Sequence, residues 1–580
     1  MSKQTYRRST LVLTVLCLLS VVLFLGLTPF NTRGEPREAI VAFSMLQDGN
    51  WVLPVNNGDE IAFKPPLLHW LVALFSSLTG HISEFTARLP SALAATAMLV
   101  AVFRFFARRR GERVAMLTAL LALTTFEVHR AAMTCRVDML LASLTVLALL
   151  ALYRWWEGGL RGVPWAALAC LAGAALTKGP VGVVLPCGAA AVFCWLRGWR
   201  FWPVCWRMAL VALAALVPLC LWYVAAYCEP HGGARFLRLI YEENVLRFTG
   251  QMSYASHINP WWYNVQTVLS GFLPYTLLAL IGACSLRGLR RRGGRRFPGL
   301  RALLRRWRDG LRAQPPARLY AWTCVAVVFL FYCIPASKRS VYLLPLYPFL
   351  AYGLAEFFLW IGRERPRALA AFGWVVGVLA FVLTLAFVAV RAGWVTDAIF
   401  QGRHAAENAA FLHALRDVPL SPLAQLLVVL PVVAALVCLR RQRRGARVFA
   451  PVGVVFAVHL ALSGFYLPAV LTVQSDRAIA ERIAAIAPRG TVYSWRTDVL
   501  EANRLHPFTI NFYLGDRVIP IDKAPALPQA GYLIAGNDDV EAFRSAYPQY
   551  AVRLVFDSGH RSCDDHKVVR FYAFSAVSRR

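Results

Sequence analysis

The sequence predicts a mostly α-helical membrane protein carrying one small α/β domain, and three observations predict it. Apolar runs close to the ~20 residues that cross ~30 Å of hydrocarbon recur along most of the chain, which is 58% hydrophobic with a mean hydropathy of +0.51. Arginines gather in the short interruptions between these runs, so the formal charge of +31 reads as membrane topology. A nucleic-acid binder would instead collect its cations on a soluble domain, and nucleic acid is excluded as a partner. From about residue 474 the apolar runs stop and short amphipathic and strand-like segments follow.

Taken in order, residues 10–30 form the first run, behind Lys3, Arg7 and Arg8. It exceeds the ~7–15 residue core of a cleavable signal peptide and no small-residue cleavage pattern follows, so it reads as a retained anchor with a cytoplasmic amino terminus. Residues 31–85 are then an outer loop, in which 36–47 predicts an interfacial helix and 67–78 a helix too short to span. The next span, 86–106, ends in Arg108-Arg109-Arg110, which marks the inner side.

Spans follow at 115–126, 139–153, 165–176, 181–196 and 208–227, then a second outer loop at 228–262 and a span at 263–284. The segment 287–318 carries twelve arginines against the single acid Asp309 and must lie inside. Spans at 319–335, 341–361, 368–390, 423–439 and 449–471 bring the count to about thirteen, which puts the carboxyl terminus outside. The chain thus divides into a membrane domain, 1–473, and an outer domain, 474–580. In the latter, 476–487 predicts a helix and 491–495, 509–514, 532–535, 551–556 and 568–574 predict strands. Most of the thirteen cysteines lie in apolar runs, with no disulfide framework or zinc spacing.

This topology sorts the polar residues. The acids Glu35, Glu38, Glu60, Glu127, Asp138, Glu242 and Glu243 and the cations Lys64, Lys178, Arg247 and Lys338 all fall on the outer side, which implies a cavity of mixed charge there. Lys64 stands at the brink of an apolar segment, where a cation costs free energy unless it snorkels or meets an anion such as a lipid phosphate. Such a cavity suits a carboxylate handling a substrate beside cations holding a phosphate, and it also suits a transport path.

Several motifs carry a resemblance. Gly34-Glu35-Pro36-Arg37-Glu38-Ala39, Gln47-Asp48-Gly49-Asn50-Trp51, Lys64-Pro65-Pro66-Leu67, Ala87-Arg88-Leu89-Pro90, Arg136-Val137-Asp138-Met139, Thr177-Lys178-Gly179-Pro180, Arg247-Phe248 with His257, and Ser337-Lys338-Arg339 with Tyr342-Leu343-Leu344-Pro345 span nearly all the membrane region. With them the chain resembles the lipid A aminoarabinose transferase family of GT-C integral-membrane glycosyltransferases, related to protein O-mannosyltransferases.

The resemblance implies a GT-C fold of about thirteen transmembrane helices with a periplasmic α/β domain, in a bacterial inner membrane. It implies transfer of a sugar from a polyprenyl-phosphate (undecaprenyl-phosphate) donor to lipid A or another glycan or protein acceptor of the envelope. The donor brings its own leaving phosphate, so no nucleotide loop is needed and none is present. Two other readings stay open: a flippase for lipid-linked sugars, and a lipid-sugar-binding relative without catalysis.

The resemblance also implies roles. Glu35 and Asp138 are the catalytic carboxylates; Gly34 replaces the first acid of the family's acidic pair, which passes the base role to Glu35. Lys64, Arg247, Lys338 and Tyr342 would hold the donor phosphate, with Arg37 and Lys178 as further site residues. His257 corresponds to a position that binds a divalent metal together with an acid just before the lysine, and Phe63 stands in that acid's place. Against these roles stand plainer ones: Glu35 as the N-terminal acid of a helix begun by Pro36, Asp138 paired with Arg136, Lys178 capping a helix end, Tyr342 in an aromatic belt, and His257 bonding its own loop. His69 and His129 have no assigned role.

Overall fold

The computed structural model describes residues 3–58, 60–230, 232–242, 246, 249, 258–286, 309–402, 404–442, 448–495, 507–521, 527–536 and 539–577. Eleven helices precede residue 242: α1 (Lys3–Val21), α2 (Gly34–Asp48), α3 (Leu67–Thr79), α4 (Glu84–Arg110), α5 (Glu112–Leu123), α6 (Phe126–Ala132), α7 (Val137–Glu157), α8 (Trp165–Lys178), α9 (Val181–Leu196), α10 (Phe201–Tyr227) and α11 (Gly233–Tyr241). A short hairpin, β1 (Val55–Asn56) with β2 (Glu60–Ile61), lies between α2 and α3. The membrane part continues with α12 (Tyr263–Gly271), α13 (Tyr275–Leu286), α14 (Pro316–Cys333), a 3-10 turn (Ser340–Leu346), α15 (Tyr347–Glu364), α16 (Pro366–Arg391), α17 (Ala405–Asp417), α18 (Pro422–Gln442), α19 (Phe449–Ala461) and α20 (Leu467–Gln474).

The bundle is held by aromatic packing. Phe106 of α4 stacks on Tyr352 of α15 with centroids 4.2 Å apart, and Tyr153 of α7 meets Tyr320 of α14 at 4.9 Å. Tyr275, Tyr320, Tyr347 and Tyr352 are fully buried, and Tyr320 donates its hydroxyl proton to the Leu149 carbonyl at 2.7 Å, which satisfies its one polar atom. The opposite pattern marks the perimeter: Trp202, Leu213 and Leu221 on α10 and Trp374, Leu379 and Phe381 on α16 point outward and exposed. An apolar face turned outward on a helix that is hydrophobic all round is a lipid-facing surface.

The span count departs from the expected thirteen. Among the described residues eight helices are long and apolar enough to cross a membrane, and ten if each of two bent pairs is one span. The expected span at 263–284 is α12 and α13, bent by 103° at a break that contains Pro274; the span at 115–126 is α5 continued into α6 through a 68° bend. Hydropathy averages over such breaks, so the sequence shows one run where the backbone makes two segments. α8 and α9, at 14 and 16 residues, fall short of a full crossing.

Toward the carboxyl terminus α21 (Arg477–Ile486), α22 (Phe508–Tyr513) and α23 (Val540–Ala546) pack on a five-stranded sheet of order β4-β3-β5-β7-β6. The strands are β3 (Val492–Ser494), β4 (Val518–Pro520), β5 (Ala530–Gly536), β6 (Tyr550–Arg561) and β7 (Val568–Ala576), parallel between β3 and both its neighbours and antiparallel beyond. The expected strand at 509–514 is instead helix α22. Asp564 accepts from the Thr509 amide and hydroxyl, both at 2.8 Å, and so closes the first turn of that helix from a residue far along the chain. Strand β4 has three residues, too few for any alternation to register.

The sheet domain docks onto α2 and the β1–β2 hairpin. Asn57 and Gly58 both take positive φ, 48° and 84°, which turns the hairpin tip toward β4; a Cβ at Gly58 would lie 2.9 Å from the Ile519 side chain. Fully buried Asn511 donates to Asn57 Oδ1 at 2.5 Å and Asp516 Oδ1 at 2.7 Å and accepts from the Val518 amide at 2.8 Å, while Ser44 of α2 donates to Asp516 Oδ2 at 3.0 Å. Asn511→Ala strands these partners and is expected to lower stability by about 1–3 kcal/mol, measured as a drop in thermal unfolding midpoint of the detergent-purified protein.

Candidate functional site

Helix α2 is where the site begins. Pro36 near its start suits the first turn, and Gly49 with φ 70° ends it in the left-handed cap. Expected at the interface, α2 is instead buried between α3 and α22, with Glu35, Glu38, Ile40 and Met45 among its covered residues. The two acids are three residues apart and share one face of the helix.

Glu35 is fully engaged. Arg88 of α4 grips it with a two-pronged bond, Nε to Oε2 at 2.8 Å and Nη2 to Oε1 at 2.9 Å, and the Cys135 amide adds a third donor at 2.8 Å. The remaining guanidinium nitrogen of Arg88 bonds the carbonyls of Leu25 at 2.8 Å and Thr28 at 2.6 Å. Every lone-pair direction of that carboxylate facing the protein is therefore occupied, and the pair ties α2 to α4 and to the segment before α7.

Glu38 faces the substrate side. Lys64 Nζ pairs with its Oε1, and His69 Nε2 sits 2.9 Å from its Oε2. These three line a cavity of about 30 Å³ with Arg37, Asn56, Glu60 and Phe63. Glu38 is 6% exposed while the Lys64 side chain is 35% exposed at the rim. Burial pushes the Glu38 carboxyl up, but Lys64 and His69 more than offset it and hold the group well below the usual carboxylate range. Burial lowers the Lys64 ammonium from its ordinary value, with Glu38 opposing and Arg37 and Arg136 adding to the effect.

A second ion pair lies alongside. Asp138, in the first turn of α7, accepts from Lys178 Nζ at 2.5 Å, and Arg136 Nε is 3.9 Å from its other oxygen. Lys178 closes α8 and also lies over the Tyr342 ring at 4.4 Å from the centroid, a cation–π contact. Both the expected Asp138–Arg136 pair and the capping position of Lys178 are present, and the Asp138–Lys178 bond is added to them. Tyr342 packs on Tyr332, centroids 5.5 Å apart. Lys338 is buried, 6% exposed, and donates to the Pro335 carbonyl at 2.6 Å, so in this conformation its ammonium is committed to its own loop.

The structure therefore brings Arg37 and Lys64 to one hollow with Glu38, holds Asp138, Lys178 and Tyr342 together in a second cluster, and draws Glu35 away into a buried clamp. Arg247 and His257 lie outside the described residues. Among the described residues, Phe63 offers no ligand atom and His69 is bonded to Glu38. Sequence reasoning missed the Glu38–His69 pair and the Arg88 clamp, and read Arg136 as a partner of Asp138; the one signal that could have found the first was the three-residue spacing of Glu35 and Glu38 on a predicted helix. A larger cavity of about 850 Å³ is lined by apolar residues including Val268, Phe272, Trp322, Leu354 and Phe357, together with Arg318, Glu356 and Arg363.

The arrangement defines a class: its architecture is the GT-C fold of integral-membrane glycosyltransferases. Over 97% of both chains the structure superposes on the crystal structure of ArnT from Cupriavidus metallidurans bound to undecaprenyl phosphate, with a TM-score of 0.68 at 20% sequence identity. Residues 63–222 match the family described as dolichyl-phosphate-mannose-protein mannosyltransferase. The undecaprenyl phosphate-alpha-4-amino-4-deoxy-L-arabinose arabinosyl transferase of Enterobacter sp. (strain 638) is 26% identical over 396 residues, 65% of this chain and 65% of that protein. The protein of the same description from Pseudomonas aeruginosa (strain UCBPP-PA14) is 29% identical over 262 residues, 43% and 46% of the two chains. By sequence the chain spans 65% of the length of the first two relatives it matches.

Glu38→Gln leaves half-buried Lys64 without its counter-charge, so the ammonium loses its proton at lower pH. The alkaline limb of the pH–activity profile is expected to move to lower pH in that variant. Because the folded-state pKa of Glu38 is depressed, its contribution to stability is present above the ordinary carboxylate range and is lost as pH falls through the folded value. Thermal unfolding of wild type and Glu38→Gln should accordingly differ most near neutral pH and converge on acidification.

Proposed function

We propose that this protein is a polyprenyl-phosphate-sugar-dependent glycosyltransferase, moving a sugar from an undecaprenyl-phosphate donor to lipid A or another envelope acceptor at the outer face of a bacterial inner membrane. The observation that carries the reading is Lys64, fixed by buried Glu38 at the rim of a polar hollow in a bundle of GT-C architecture. A headgroup phosphate would lie at Lys64 and the isoprenoid chain in an apolar cavity of the bundle. In this reading the chain works as a membrane unit, 1–473, and a periplasmic unit, 474–580, with the amino terminus cytoplasmic.

The chemistry follows from charge. Displacement breaks the bond between the sugar's anomeric carbon and the donor phosphate oxygen, and the electron pair leaves on polyprenyl phosphate. Lys64, at the rim and fixed by Glu38, meets that developing charge with a donor already in place. Arg247 and Lys338 complete the phosphate clamp, Lys338 on release from the Pro335 carbonyl. Asp138, held by Lys178, orients the acceptor, and Glu35 acts by positioning α2 against α4.

Purified protein given undecaprenyl-phosphate aminoarabinose and lipid A should form glycosylated lipid A, detected by mass spectrometry. Lys64→Ala is expected to reduce transfer by ~100-fold or more with an unchanged elution volume and unfolding midpoint. Full activity in that variant, or binding of donor without transfer by the wild type, would remove the proposal.

A further inference from the structure

Asp476 stands at the start of helix α21, where an aspartate ordinarily accepts from the amides of the first turn, yet its side chain makes no such bond. It turns instead toward the connection between β6 and β7. Its Oδ2 accepts from Ser562 Oγ at 2.6 Å and its Oδ1 from the Cys563 amide at 3.2 Å. Cys563 Sγ lies 3.5 Å from Asp476 Oδ2, and Asp564, the next residue, takes both its hydrogen bonds from Thr509. Asp476, Cys563 and Asp564 are 0%, 7% and 8% exposed, and one ligand atom from each lies within 4.8 Å of the others.

The cluster is anionic and lacks a matching cation. Each carboxylate accepts an amide on one oxygen and a hydroxyl on the other, the pattern of an ionised group with lone pairs to spare. Among the described residues the basic group that reaches either one is His560, whose Nε2 is 4.0 Å from Asp476 Oδ1. That separation is too long for a hydrogen bond. The imidazole is partly exposed, but its Nε2 is covered by protein and has no partner. Burial raises both carboxyls, and the charge of Asp476 adds to the effect at Asp564. A cation between the three groups would remove that cost and give the imidazole nitrogen its partner.

The spacing suits zinc. With Zn–S about 2.3 Å and Zn–O about 2.0 Å, tetrahedral geometry sets sulfur and oxygen ~3.5 Å apart, which is the separation of Cys563 Sγ and Asp476 Oδ2. A thiolate, an imidazole and two carboxylates form a donor set of borderline softness, whereas magnesium and calcium take oxygen ligands. Asp476 and the 560–564 stretch meet only in the fold, so no cysteine–histidine spacing announces them in the sequence.

We propose that Asp476, His560, Cys563 and Asp564 form a zinc site that fastens the sheet domain to the end of helix α20. Asp476 lies two residues beyond that helix, and neighbours of the ligands already reach the membrane part. Ser475 Oγ donates to the Phe30 carbonyl at 2.5 Å, and Arg33 Nη1 donates to Asp565 Oδ1 at 3.3 Å. Zinc at this joint ties the β6–β7 connection to the helix pair α20–α21. On binding, the Cys563 thiol gives its proton to solvent and the thiolate bonds the metal. The site shares no residue with the Lys64 hollow.

Full-length protein purified in detergent, stripped with EDTA and titrated with zinc chloride against a chromophoric chelator, and separately with cobalt chloride, tests the assignment. The expected result is one zinc per chain, a higher thermal unfolding midpoint on loading, and thiolate-to-metal charge-transfer absorption in the cobalt form. Cys563→Ser retains a hydroxyl for the contacts with Asp476 and Thr509; it should lose that absorption and bind zinc about 100-fold or more weakly. His560→Gln, at the partly exposed rim, should weaken zinc about 10-fold or more. Both variants should unfold at the midpoint of metal-free wild type, the sign that they fold. Wild type that takes up no stoichiometric zinc, or a Cys563→Ser protein with wild-type affinity and cobalt spectrum, overturns the site.

Discussion

Two carboxylates on one face of α2 have to be neutralised inside protein, and the site is built around how that is done. An unpaired charge at either position would cost several kcal/mol. Glu35 is met by a guanidinium reaching in from α4, and Glu38 by an ammonium and an imidazole that arrive from the start of α3. The same requirement therefore fixes α2 against α4 and brings Lys64 to the rim of the hollow. A helix turn separates a structural acid from one that serves the pocket.

The consequence for chemistry is that carboxylates here anchor cations more than they take up protons. Glu38 gives Lys64 a fixed position and holds up its charge against burial; Asp138 does the same for Lys178, whose ammonium also rests on Tyr342. A cation held this way undergoes little reorganisation when a phosphate arrives, which is the property an electrostatic catalyst requires. A free lysine snorkelling at a membrane edge would have to be ordered first.

Much of this was legible in the sequence and some was not, for physical reasons. The helices were visible because lipid demands long apolar runs, and Lys64 because a cation at the edge of such a run needs a partner. The bends after Leu123 and Gly271 were invisible to an average over residues. So was the helix at Phe508–Tyr513, whose first turn is closed by Asp564 from across the domain. Glu35 was read as the leading acid from its place in a motif, yet which of two acids opens to the pocket depends on where Arg88 and Lys64 lie in space.

The outer α/β domain belongs to the same construction. Its Asn511 and Asp516 bond the tip of the β1–β2 hairpin and Ser44 on α2, while Tyr513 donates to Glu84 at the start of α4. The hairpin leads within three residues to Lys64, and α2 carries Glu38. The domain therefore grips both elements that supply the Lys64–Glu38 pair and, through Glu84, the helix that supplies Arg88. A site assembled from a short loop and a helix too brief to be stable alone gains its rigidity from a second folded body pressed on top of it. Precision at the phosphate seat is then a property of the contact between the two units, and loosening that contact would be felt first at Lys64.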